Sequence, residues 1–231
     1  MLKTKNQEAR NPARRSFLRY GGATLATASL VMTGCEEFYD LFPREPITGV
    51  QLGKGDTGIL NYAYTLEQLE ARFYTLVVAT ADQCGFSDEE QQILSDLQKH
   101  EVIHQDFFKA ALGKDAIAEL MFDFSSVDFT SRSSVLKAAK TFEDLGVAAY
   151  NGAGQLLESA DLLLVAGKIV SVEARHAAAI RSILDGDPTS FAGDDVIDAN
   201  GLDRAFMPSM VLNAASDFIV TPIDASELPT A

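Results

Sequence analysis

His-Glu-Val-Ile-His, residues 100–104, sets a glutamate and a histidine three positions apart inside a segment whose apolar residues Leu94, Leu97, Val102, Phe107, Phe108 and Leu112 recur with helical spacing. On an α-helix, positions i and i+3 lie on one face, about 60° apart, so Glu101 and His104 can reach a common point. The same spacing returns at Glu173-Ala174-Arg175-His176. The chain has only three histidines, and two of them carry a glutamate three residues upstream. The third, His100, neighbours Glu101 on a different face and reads as a surface residue.

Working outward from these pairs, four helical segments emerge. Asp56 can cap a helix whose apolar positions Ile59, Leu60, Ala63, Leu66, Leu69, Phe73 and Val77 carry it to about Ala81. Ser87 and Glu90 form a capping-box pattern before the second helix, which stops at Gly113. A less periodic stretch, residues 114–132, holds Phe122, Phe124 and Phe129 and is long enough to run the length of a bundle. Ser133 or Ser134 then opens a third helix to about Leu157. A break at residues 159–161 leads to a fourth, which ends at Leu184 before Asp185-Gly186-Asp187-Pro188. Two short links around one long crossover predict an all-α, ferritin-like four-helix bundle over residues 56–186, followed by a C-terminal extension, 187–231, with a short helix at 208–215.

The two halves of the bundle echo each other. Residues 65–74 read Thr-Leu-Glu-Gln-Leu-Glu-Ala-Arg-Phe-Tyr, and residues 141–150 read Thr-Phe-Glu-Asp-Leu-Gly-Val-Ala-Ala-Tyr. Glu67 thereby corresponds to Glu143, and Tyr74 to Tyr150. Glu70 competes with Glu67 for a place facing the core. Its counterpart is Gly146, so Glu70 reads as solvated or as lying outside the ligands. Glu67, Glu101, Glu143 and Glu173 with His104 and His176 make four carboxylates and two imidazoles, a donor set suited to iron or manganese. A zinc site would be smaller and tetrahedral.

These phrases, with Val-Glu-Ala-Arg-His-Ala-Ala at residues 172–178, resemble the exported bacterial ferritin-like domain family, some members of which are described as desiccation-related. The resemblance covers about Gly55 to Gly186. It implies two metal ions, iron or alternatively manganese, with Glu101 and Glu173 bridging, Glu67 and Glu143 terminal, and His104 and His176 each on one ion. It also implies that Tyr74 and Tyr150 hydrogen-bond the ligand carboxylates and take part in electron transfer. The expected chemistry is oxidation of Fe(II) or reduction of O2 or peroxide. The competing expectation is a structural or stress-protective protein in which the metal only stabilises the bundle.

With 231 residues, 47% of them hydrophobic, the chain can bury one sizeable core. Residues 1–34 read as an export signal: a basic head, Arg14-Arg15-Ser16-Phe17-Leu18 resembling the twin-arginine type, and a short apolar stretch from Tyr20 to Thr33. Met32-Thr33-Gly34-Cys35 resembles a lipobox, so Cys35 is the expected lipid anchor, and residues 35–55 read as a tether. Removing the six basic and one acidic groups of that leader leaves 13 basic against 32 acidic, a net charge of −19. Such a surface repels nucleic acid. The expected location is the cell envelope, held to the membrane through lipid. A tether of that kind disfavours a closed storage cage, while smaller homo-oligomers stay open. Two cysteines cannot supply a four-cysteine electron-transfer site, so the electron donor is expected to be a partner.

Overall fold

A computed structural model describes residues 49–230; the expected export signal, Cys35 and the expected tether up to residue 48 lie outside the described residues. Four long helices form the bundle: α1 (Gly55–Cys84), α2 (Asp88–Leu112), α3 (Arg132–Gly154) and α4 (Ala160–Asp185). Helix α1 packs most extensively on α2 and α3 on α4, while α1 faces α3 and α2 faces α4 across the centre.

Local signals set most boundaries. The capping box forms as its pattern predicts, with Ser87 accepting from the Glu90 amide and Glu90 reaching back to the Ser87 amide. Gly85 and Gly186 close α1 and α4 in the left-handed conformation, at φ 70° and 66°. Two caps differ from expectation. Helix α3 opens behind Ser131, whose hydroxyl accepts from the Ser134 amide, rather than behind Ser133 or Ser134, and it ends at Gly154. Asp56 does not cap its own helix. Its carboxylate accepts from the backbone amides of Glu158 (2.8 Å) and Ser159 (3.0 Å), so it pins the α3–α4 link from the outside.

The crossover runs back along the bundle and joins its core. Phe124 is buried and sits in an aromatic cluster with Phe73, Phe129, Phe142 and Phe218, ring centroids 4.8–6.3 Å apart along the cluster. Asn61, buried in α1, anchors the start of the crossover by donating to Leu52 O and Asp115 O and accepting from Ile117 N, each at 3.0 Å.

The C-terminal extension covers the bundle too. Helix α5 (Pro208–Ala215) buries Val211 and Ala215, and Ile219 bridges Phe122 of the crossover. At Gly152 the extension comes close enough that a Cβ would lie 1.8 Å from Phe206 O; only glycine admits that approach, which the Phe206 N to Ala148 O hydrogen bond holds at 2.9 Å. A two-residue strand β1 (Val50–Gln51) pairs in parallel with β2 (Ile223–Asp224), and Leu52 is fully buried. The last residues of the expected tether therefore belong to the folded domain, because their pairing partner comes from the far end of the chain. Phe124 of the crossover and Val211, Ala215 and Leu228 of the extension are buried, while Met121, Phe191, Leu202, Met210 and Val220 stay exposed.

Candidate metal centre

All six predicted ligands converge midway along the bundle. Glu67 comes from α1, Glu101 and His104 from α2, Glu143 from α3, and Glu173 and His176 from α4. The four carboxylates have no solvent exposure, and His176 has 3%. The His104 side chain is 12% exposed, which makes it the most solvent-accessible of the six.

The donor atoms fall into two groups, Glu67–Glu101–His104–Glu173 and Glu101–Glu143–Glu173–His176, either of which could hold a metal ion. Glu101 and Glu173 belong to both. His104 Nδ1 faces Glu173 Oε1 at 3.2 Å, Glu67 Oε2 at 3.4 Å and Glu101 Oε2 at 3.5 Å. His176 Nδ1 faces Glu101 Oε1 at 2.8 Å, Glu143 Oε2 at 3.5 Å and Glu173 Oε1 at 4.0 Å. Despite these short separations, both nitrogens and the facing carboxylate oxygens lack hydrogen-bond geometry. Atoms aimed at a shared point rather than at each other produce that pattern. Two ligands about 2.1 Å from one ion at right angles lie about 3 Å apart, close to the shorter separations here.

Each terminal glutamate is fixed by a tyrosine from the opposite half. Tyr74 of α1 donates to Glu143 Oε1, and Tyr150 of α3 donates to Glu67 Oε1. The reciprocal pairing, early residue to late residue in both directions, shows α1 and α3 to be antiparallel and related by an internal two-fold. Burial first, then the adjacent carboxylates, raises both phenols well above their ordinary range, so they stay protonated and serve as donors.

The buried carboxylates outnumber the positive groups that face them. Burial pushes the Glu67 carboxyl up to about 7 against the pull of His104, and it raises Glu143 as well. Glu173 lies well above the usual carboxylate range, through burial and then through the Glu101 charge. Burial alone would also raise Glu101, but the facing imidazoles of His104 and His176 outweigh it and bring Glu101 down to about 2. Those imidazoles are themselves held up against burial, His104 to about 12 and His176 to about 10. Among the described residues, these two imidazoles are the only cationic groups within ion-pair range of the four carboxylates. Buried carboxylates without enough counter-charge must take up protons or metal ions.

Two residues behave differently from their sequence reading. Glu70 is 3% exposed, and burial followed by the charge of Glu173 raises its carboxyl well above the ordinary range. It is not solvated. A Cβ on Gly146 would lie 3.2 Å from Glu70 Oε1 and 3.4 Å from Glu173 Oε2, so the glycine that argued against Glu70 is what makes room for it. His100 is exposed, but it is not a bystander: its Nδ1 lies 2.9 Å from His176 Nε2. The available signal was position i−4 from His104, which places His100 on the α2–α4 seam.

Residues 55–186, more than half of the chain, match the family model described as a ferritin-like domain. No curated protein matches the chain.

Proposed function

We propose that this chain, which belongs to the ferritin-like domain family, holds two metal ions, iron or manganese, between Glu101 and Glu173, and oxidises Fe(II) or reduces O2 or peroxide at the cell envelope. The observation that carries this reading is the set of buried, unpartnered carboxylate oxygens and imidazole nitrogens that divides into two groups sharing Glu101 and Glu173. When bound there, such ions supply paired one-electron steps and a Lewis-acidic position for O2 or peroxide.

The residues divide the work. Glu101 and Glu173 would contact both ions, Glu67 with His104 would complete one position, and Glu143 with His176 the other. Tyr74 and Tyr150 hold the terminal carboxylates in place and offer phenolic protons beside them. The carboxylates are fully buried, and His104, whose side chain is 12% exposed, is the member of the set through which substrate would arrive. Oxidation of two Fe(II) releases the two electrons that convert O2 to peroxide, or peroxide to two waters, with protons drawn from solvent.

Envelope location is supported by the twin-arginine-like residues 14–18 and the lipobox-like residues 32–35. No helix among the described residues is long and apolar enough to cross a membrane. With iron or manganese supplied, the full chain is expected to consume Fe(II) with O2 or H2O2 faster than buffer does, and Glu101→Ala to abolish that excess. Tight metal binding with Fe(II) oxidation equal to buffer, and a Glu101→Ala effect confined to melting temperature, would instead establish a structural metal.

A further inference from the structure

The internal two-fold that relates Glu67 to Glu143 and Tyr74 to Tyr150 fails behind the histidines. His176 Nδ1 faces the carboxylates, and its other nitrogen, Nε2, lies 2.9 Å from His100 Nδ1. The two rings are parallel to within 7°, with centroids 5.1 Å apart. Nitrogens that close between rings that far apart mean the imidazoles join edge to edge through an in-plane hydrogen bond. The residue that stands to Glu173 and His176 as His100 stands to Glu101 and His104 is Val172, which has no side-chain donor or acceptor. One imidazole of the centre is therefore braced by a second imidazole, while the counterpart position behind the other offers only a valine.

Bracing has a chemical consequence. To bind a metal through Nδ1, a histidine must carry its proton on Nε2 and keep its ring oriented. With His176 in that tautomer, His100 Nδ1 is placed to accept the Nε2–H and hold the ring, and His100 then carries its own proton on Nε2. We infer that His100 is a positioning residue that makes the two metal positions unequal, the one completed by Glu143 and His176 binding more tightly than the one completed by Glu67 and His104. The inference rests on the two-metal reading of the centre. Its physical content is that a partner behind a ligating histidine is worth about 10–100-fold in metal affinity.

The test is an anaerobic titration of the metal-free full chain with Co(II), followed by visible absorption and calorimetry. The wild-type chain is expected to bind in two resolved steps, with His104→Ala removing the weaker and leaving the tighter. His100→Ala is expected to weaken the tighter step about 10–100-fold and leave the weaker unchanged. His100→Gln, whose amide oxygen can accept the same Nε2–H, restores most of the loss; His100→Phe, which keeps a ring but accepts nothing, does not. Two equal steps in the wild type, an unaffected tighter step in His100→Ala, or rescue by Phe as good as by Gln would each overturn the inference while sparing the centre. No Co(II) binding at all would remove the centre itself, and the inference with it.

Discussion

Replacing Glu173 by glutamine should make the metal-free protein more stable and the metal-supplied protein less so. Glu173 is fully buried, neither of its oxygens has a hydrogen-bond partner, and burial with the Glu101 charge raises its carboxyl well above the ordinary range. Folding without metal near neutral pH is therefore coupled to keeping that carboxyl protonated, a cost the unfolded chain, where the group is free to ionise, does not bear. Glutamine keeps the shape without that cost. A rise in melting temperature is the expected result, each kcal/mol gained being worth about 2–4 °C for a domain of this size. The pH dependence follows from the sign of the shift. A raised carboxyl stabilises the fold below its unfolded pKa and loses that contribution as pH rises, so the advantage of Glu173→Gln should shrink toward pH 5 and grow toward pH 8. Metal reverses the order. At a free concentration 100 times Kd an ion adds about 2.7 kcal/mol to the wild type, and the variant, missing a shared ligand, forfeits most of it. Thermal melts of both proteins with chelator and with Mn(II), at pH 5, 6.5 and 8, read all of this. A lower melting temperature for metal-free Glu173→Gln than for wild type at pH 8 would refute the reasoning, since it would mean the carboxylate is already satisfied.

Three further outcomes are expected. Gly152→Ala places a methyl 1.8 Å from Phe206 O, a backbone atom that cannot rotate away, so the extension must lift from α3; despite better helix propensity, a net loss of about 1–3 kcal/mol should appear in urea unfolding, with faster amide exchange at Phe206. Asp56→Ala frees the amides of Glu158 and Ser159 and should cost about 1 kcal/mol, with exchange rising at the start of α4 and not at the start of α1. Tyr150→Phe and Tyr74→Phe should each lower affinity for one ion about tenfold, acting through Glu67 and Glu143 respectively, and a metal titration showing that both variants weaken the same step would contradict the crossed pairing.

What the sequence discloses and what it hides divide along sequence distance. Helix spans, the Ser87–Glu90 box and the two Glu-x-x-His pairs are local periodicities, legible because each is decided within a few residues. The internal repeat then identifies Glu67 and Glu143, since a second copy of a phrase supplies the register that one helix lacks. The misreadings are long-range. Asp56 looks like a cap because it stands at a helix start, yet its partners are about 100 residues away. Ser133 and Ser134 look like caps, but the cap is Ser131, and the Ser134 hydroxyl is taken up by the Asp128 amide. Gly146 suggests that its counterpart Glu70 is solvated or outside the ligands; it lies outside both donor groups but is buried, because a missing side chain on one helix is space for a side chain on another. His100 sits on a different face from Glu101, as expected, and the ring it meets belongs to α4.

If the carboxylates and imidazoles between α1, α2, α3 and α4 hold a pair of ions, anomalous diffraction from crystals of the full chain supplied with Fe(II) or Mn(II) will locate them. The expected result is two peaks about 3.5–4 Å apart between Glu101 and Glu173, one beside Glu67 and His104 and the other beside Glu143 and His176. A centre with no anomalous peak after such supplementation, its carboxylates held by protons alone, would contradict the claim.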